Sequence, residues 1–242
     1  MISNGKFYES QFEEATIELL REAHWQYAFG DDIHRKYTDP LIEEDLRNFL
    51  AVQYKDKNLT TSEMDSIVAN LRNTGGQNDY YALRNTFLLY RDGYDFAYSD
   101  GRSNPFRLEY IDFEHPDHNI FRCVNQFVME QGRENRRPDI LLFINGIPVC
   151  IIELKNPTKQ NATIHDAHTQ ICTRYMRDIP ALLKYCALAV ISDGAKNALG
   201  ATYTPFEFFY EWKKIENEDK AGKGLDTLRT LIRGAISPER IL

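Results

Sequence analysis

The chain has 242 residues, 43% of them apolar and 12% aromatic, enough to bury a sizeable core in one large domain or a domain with an appendage. Its formal net charge of −7 argues against a protein that coats nucleic acid generally, while leaving room for a local basic patch. No run of about 18 apolar residues exists, which excludes a membrane-spanning helix, and the opening Met-Ile-Ser-Asn-Gly-Lys lacks a signal peptide's apolar stretch.

Residues 8–23 carry apolar side chains at 8, 12, 15, 19, 20 and 23, with Thr16 in the same stripe and Glu9, Glu13, Glu14 and Glu18 between them. This spacing predicts an amphipathic helix. Helices follow near 40–54 and 62–73, the latter capped by Thr61 or Ser62, and Gly75-Gly76 interrupts the chain after it. A helix over 79–91 ends before Gly93; strands are expected near 94–99, 106–112 and 120–130. A hairpin spans 138–155. A helix over 164–178 opens on Thr163-Ile-His-Asp166, which resembles a capping box. A buried strand, Ala187 to Ile191, and a helix near 205–214 follow, and the charged, Gly-containing stretch from 216 to 242 reads as a linker. The expected fold is α/β (α+β): a mixed central sheet flanked by helices, with helix 164–178 making a right-handed crossover between two strands.

Cys123, Cys150, Cys172 and Cys186 lack close-pair metal spacing. Cys150 and Cys186 sit in apolar runs and read as buried free thiols, which suits a reducing cytoplasm. The six histidines form no evident ligand cluster, and His165 and His168 read as surface residues.

The hairpin carries the chemistry. Pro138-Asp139 begins one apolar run, Asn145-Gly146 is a strong turn signal, and Glu153-Leu154-Lys155 ends the returning run. Two carboxylates and one ammonium at neighbouring strand ends are what metal-dependent phosphodiester cleavage requires. A hard cation such as Mg²⁺ takes oxygen ligands, typically one or two carboxylates, and lysine adds a compact positive charge near water or phosphate. A Glu-x-Lys at a strand end is more often a solvated face; here both strands are nearly continuously apolar, which makes surface decoration a weaker reading.

Side-chain alternation imposes a register condition. A plain two-residue turn pairs Ile144 with Ile147, Asp139 with Ile152, and sends Glu153 to the face opposite Asp139. A three-residue loop with Gly146 left-handed, or an equivalent bulge, restores one shared face. The site requires one of these two. Arg133, Arg136 and Arg137 precede Asp139, and Lys155 and Lys159 follow, so five cations surround the site, with Arg136 and Arg137 as candidate DNA contacts.

The trio is similar to that of the PD-(D/E)xK nucleases. Asn125-Gln-Phe127, the run from Arg136 to Pro148, Ile152-Glu-Leu-Lys-Asn-Pro157 and Ile191-Ser-Asp-Gly194 together resemble the N-terminal nuclease domain of the R subunit of type I restriction–modification enzymes. Phe12-Glu-Glu-Ala15 and Leu83-Arg-Asn85 also fit, so the resemblance covers residues 8–215.

That resemblance implies a restriction-endonuclease-like domain over 1–215 acting on double-stranded DNA with Mg²⁺. Asp139 and Glu153 would be metal ligands and Lys155 would serve the hydrolytic water. Glu13, rather than Glu14, would be the first-helix glutamate near the metal centre. Gln170 and Tyr175 match the family's glutamine–tyrosine motif and would be DNA contacts, yet five residues of α-helix turn about 140°, so the two do not share a face; Gln170 would reach the site or a DNA phosphate, and for Tyr175 core packing is the plainer reading. Partners would be the methyltransferase (M) and specificity (S) subunits. The family's ATP-driven translocase has a Gly-x-x-x-x-Gly-Lys-Ser/Thr loop. Here Asn217 and Gly224 replace its first glycine and its hydroxyl residue, so ATP use is expected only of a longer protein, with 216–242 leading toward the motor. Two other readings are a structure-specific repair or recombination nuclease and a catalytically idle docking domain.

Overall fold

The computed structural model describes residues 9–155, 163–215 and 222–242. Helix α1 (Glu9–Glu22) buries Phe12, Thr16, Leu19 and Leu20 of the predicted stripe, while Tyr8 lies outside the described residues. It ends where His24 turns left-handed (φ 71°), the His24 N–H reaches the Arg21 carbonyl and the Trp25 N–H closes back onto the Leu20 carbonyl, a Schellman termination. Strand β1 (Gln26–Phe29) follows, unforeseen because its four residues show no alternation of polarity.

Helices α2 (Glu43–Gln53), α3 (Thr61–Asn73) and α4 (Asp79–Asp92) fall where periodicity puts them. The cap of α3 is Thr60, in a reciprocal box with Glu63, rather than Thr61 or Ser62. Strands β2 (Tyr94–Phe96) and β3 (Phe106–Leu108) form a separate small ladder. The single strand expected over 120–130 is two, β4 (Phe121–Asn125) and β5 (Met129–Gln131), separated at Gln126, whose φ is 55°. Strand β6 (Glu134–Arg136) pairs with β5.

The hairpin is β7 (Ile140–Ile144) and β8 (Ile147–Leu154). Helix α5 (Ile164–Thr169) continues through a π turn (Gln170–Tyr175) into α6 (Met176–Asp178), so helical structure spans the expected 164–178. Asp166 Oδ2 accepts hydrogen bonds from the Thr163 backbone N–H (2.8 Å) and hydroxyl (2.9 Å), the reciprocal half of the expected capping box. Then come α7 (Pro180–Leu183), β9 (Leu188–Ser192) and the unforeseen β10 (Asn197–Ala201). The helix expected near 205–214 is only a short 3₁₀ turn, Phe206–Phe208.

The main sheet runs β1-β4-β7-β8-β9-β10. Its β1–β4 and β8–β9 pairs are parallel and the rest antiparallel, so the mixed central sheet flanked by helices is as expected. One face packs on a core with α1 to α3; the other faces α5 and the π turn.

The register condition is met by a bulge. Asn145 and Gly146 are both left-handed (φ 51° and 76°) and form a two-residue turn that pairs Ile144 with Ile147, so the three-residue loop is not used. Phe143 pairs with Pro148 but Leu142 with Cys150, leaving Val149 as an extra residue. Val149 and Cys150 then both face the α1 side, while Ile151 turns to the α5 side with Leu141 and Phe143. One inserted residue thereby moves Glu153 across the sheet. Continuing the Ile140–Ile152 pairing by one step sets Asp139 opposite Glu153, on one face.

Beyond residue 221, helix α8 (Leu225–Leu231), a π turn (Ile232–Ile236) and α9 (Pro238–Ile241) fold against the domain. Leu228, Leu231, Ile232 and Ile236 have no exposed surface, and Trp25 Nε1 donates to the Ile236 carbonyl at 2.9 Å. Each such side chain contributes roughly 1.5–3 kcal/mol by burial. The described part of the stretch expected as a linker is therefore a packed element of the core, whose apolar spacing was outweighed in the sequence by the charged stretch before it.

Candidate active site

Asp139 directly precedes β7, and Glu153 and Lys155 lie at the end of β8. Asp139 Oδ2 accepts from the Leu154 backbone N–H at 2.7 Å, which fixes the carboxylate against the facing strand. Lys155 Nζ donates to Glu153 Oε1 at 2.8 Å and to Gln170 Oε1 at 2.7 Å. Gln170 Nε2 donates to the Tyr175 hydroxyl at 2.7 Å, and that hydroxyl donates to Glu153 Oε2 at 3.3 Å. Four side chains thus close a hydrogen-bonded ring.

The ring depends on the π turn. Its i→i+5 bonding, seen in the Met176 N–H reaching the Ile171 carbonyl, stacks residues five apart. Gln170 and Tyr175 consequently do share a face, contrary to the α-helical expectation. The Tyr175 ring is 3% exposed, packed in the core of Leu141, Ile151 and Ile171, while its hydroxyl reaches the Glu153 carboxylate. Burial and the neighbouring Glu153 charge hold that phenol protonated.

Glu153 is 1% exposed. Desolvation, then the nearby Asp139 charge, push its carboxyl up to about 8, with Lys155 and the Tyr175 hydrogen bond opposing. Asp139, Lys155 and Gln170 are partly exposed and open this end of the sheet to solvent. An all-oxygen pair of carboxylates, one of them resisting ionisation because it is desolvated and faces a second acid, suits a hard divalent cation.

Glu13 comes to the same end of the sheet from α1. Its Oε1 accepts from Asn125 Nδ2 at 2.7 Å and from Gln126 Nε2 at 2.9 Å, and its Oε2 accepts from Gln126 Nε2 at 2.9 Å. Glu14 is exposed. The Tyr27 hydroxyl donates to Asn125 Oδ1 at 3.0 Å, orienting that amide. Asn125 and Gln126 were visible in the sequence only as part of the family string; their grip on Glu13 needed the αL kink at Gln126.

The expected cations are not equivalent. Arg136 is bound to Asp178 (Nε to Oδ2, 2.7 Å) and Glu134 (2.5 Å), whereas Arg137 and Arg133 are exposed and form no ion pair with a described residue. Lys159 lies outside the described residues. The histidines also differ from expectation: His115 and His118 converge with Asp112, their potential ligand atoms all within 4.8 Å of one another. The four cysteines are free thiols, and three, Cys150 and Cys186 among them, are buried. No described helix is long and apolar enough to cross a membrane.

A family model described as the type I restriction enzyme R protein N terminus matches residues 6–208. The chain belongs to that family. It is 31% identical over 247 aligned residues to the type I restriction enzyme HindI endonuclease subunit of Haemophilus influenzae, covering 97% of this chain and 23% of that protein. It is 30% identical to a putative type I restriction enzyme MjaIXP endonuclease subunit of Methanocaldococcus jannaschii, over 86% of this chain and 20% of that one. A staphylococcal type I endonuclease subunit, from Staphylococcus saprophyticus, is 26% identical over 72% of this chain. The chain spans less than a quarter of the length of the first two relatives, and the residues matched to the family include the whole candidate site.

Proposed function

We propose that this chain is the Mg²⁺-dependent DNA endonuclease module of a type I restriction R subunit, hydrolysing phosphodiester bonds of double-stranded DNA. The observation that carries the reading is the convergence of Asp139, Glu153 and Lys155 on one face, achieved by the bulge at Val149. Asp139 and Glu153 would hold the cation, with Glu13 on its approach. When bound, Mg²⁺ supplies a water of lowered pKa and offsets charge on the phosphoryl oxygens.

The remaining work falls to the protein's own groups. Lys155 spends two N–H donors on Glu153 and Gln170, and its third is directed to the hydrolytic water or a phosphate oxygen. Gln170 and Tyr175 hold that ammonium and the Glu153 carboxylate in register. Arg137 and Arg133 supply positive charge along the DNA backbone. ATP-driven translocation, and assembly with M and S subunits, belong to the longer protein, and the free thiols suit a cytoplasmic setting.

Asp139→Ala in the full-length subunit, reconstituted with its partner subunits, tests this directly. DNA cleavage should vanish while assembly and ATP hydrolysis persist. Cleavage at the unaltered rate would leave the domain as a docking element.

A further inference from the structure

At the opposite end of the sheet, the loop between β3 and β4 folds over the hairpin turn. Asn145 Nδ2 donates to the Tyr110 carbonyl (2.9 Å) and to Asn119 Oδ1 (2.7 Å), and Asn119 Nδ2 donates to the Asp112 carbonyl (2.7 Å). Asn145 is six residue steps along the strand from Asp139, so this loop lies about 20 Å from the nuclease trio.

Within the loop, Asp112 is buried and His115 and His118 are exposed. Asp112 Oδ1 accepts the backbone N–H groups of Glu114 (3.0 Å) and His115 (2.8 Å), and Gln53 Nε2 donates to Oδ2 at 3.0 Å. The carboxylate is thus locked in orientation by backbone and by α2. His118 Nδ1 lies 3.0 Å and His115 Nδ1 3.5 Å from the same Oδ2, with the two rings stacked at 4.8 Å.

We propose that Asp112, His115 and His118 form a transition-metal site, taking a Zn²⁺-class cation through one carboxylate oxygen and two Nδ1 atoms. Metal–nitrogen bonds of about 2.0–2.1 Å in a tetrahedron require ligand atoms roughly 3.3 Å apart, and the two spacings to Oδ2 bracket that value. Imidazole donors select Zn²⁺, Ni²⁺ or Cu²⁺ over Mg²⁺. Each ring then carries its proton on Nε2, facing solvent, and water completes the coordination on the exposed side. Gln53 acts as the outer hydrogen bond that orients the carboxylate. The bound cation clips the loop to α2 and the turn end of the sheet, independently of the nuclease reading.

Titration of the metal-free 242-residue chain with Zn²⁺ in excess Mg²⁺, and with Co²⁺ as a visible reporter, tests the site. One equivalent should bind in the micromolar range and raise the melting temperature. His115→Ala and His118→Ala should each weaken binding by more than about tenfold, and Gln53→Ala by about tenfold, with folding checked by circular dichroism. Asp139→Ala should bind as the parent does. The site is refuted by the lack of saturable binding below about 100 µM, by binding that survives both histidine substitutions, or by binding lost with Asp139.

Discussion

Gln170 and Tyr175 are joined by a 2.7 Å hydrogen bond across five residues of helix, a contact that the π turn permits and a regular α-helix does not. Because Gln170 also holds Lys155 and Tyr175 also holds Glu153, the pair acts as a unit. Tyr175→Phe and Gln170→Ala should each cost about 1 kcal/mol of stability and reduce cleavage by roughly tenfold, one hydrogen bond's worth. Their double mutant should show a coupling energy of about 0.5 kcal/mol or more in urea denaturation. Strict additivity would mean the ring has no energetic reality.

Glu153 makes the fold pH-sensitive. Its carboxyl is raised from an ordinary 4.5 to about 8, so the folded state holds a proton that the unfolded chain has released. The resulting stabilisation is complete below about pH 4.5 and declines as pH rises toward 8. Relative to Glu153→Gln, the parent should therefore lose a few kcal/mol between pH 5 and 8 in the absence of divalent metal. Parallel stability curves for the two proteins would contradict this. On the proposed role of Glu153 as a ligand, Mg²⁺ should restore part of the loss at pH 8 by favouring the ionised carboxylate.

Gly146 is the tightest point of the hairpin. With φ at 76°, a Cβ there would lie 2.1 Å from the Ile42 carbonyl oxygen, which belongs to backbone entering α2. The Ile42 N–H also donates to the Gly146 carbonyl at 2.9 Å. Gly146→Ala should destabilise the domain by at least about 2 kcal/mol through αL cost and overpacking. A melting temperature within one or two degrees of the parent's would show that α2 can retreat at little cost.

Gln126 separates backbone from side-chain effects. Its φ of 55° is one that glycine adopts readily, so Gln126→Gly should fold with near-parent stability. It removes the contacts to both Glu13 oxygens and should lower cleavage by roughly tenfold if Glu13 serves the site. Unchanged cleavage would show that Gln126 is not needed to position Glu13, which Asn125 still holds.

The two arginines before β7 should behave differently in DNA binding. Arg137→Ala should flatten the salt dependence by about one unit of slope, as for one lost phosphate contact. Arg136→Ala should mainly lower stability, because Asp178 is buried and loses one of two arginine partners. Equal effects of both on the salt slope would mean that Arg136 leaves Asp178 to meet DNA.

Much of this was legible in the amino-acid sequence. The stripe of α1, the apolar runs of β7 and β8 and the Asn145-Gly146 turn are local patterns, and each fell within a few residues of its expected place. Asp139, Glu153 and Lys155 were visible as a trio, and alternation alone required a register irregularity between them. β1 and β10 were missed because short strands acquire their identity from neighbours rather than from their own polarity. The packed α8 was hidden behind a charged, glycine-containing stretch.

Residue types and their spacing determined which carboxylates, which ammonium and which turn this protein has, because those are properties of single residues and ideal periods. Two insertions into those periods decided the rest: Val149 in the strand puts the acids on one face, and the π turn Gln170–Tyr175 lines up the two side chains that hold Glu153 and Lys155. Neither has a local signal. Each is stable only because the surrounding core accepts the displaced side chains, and that depends on packing between segments distant in the chain.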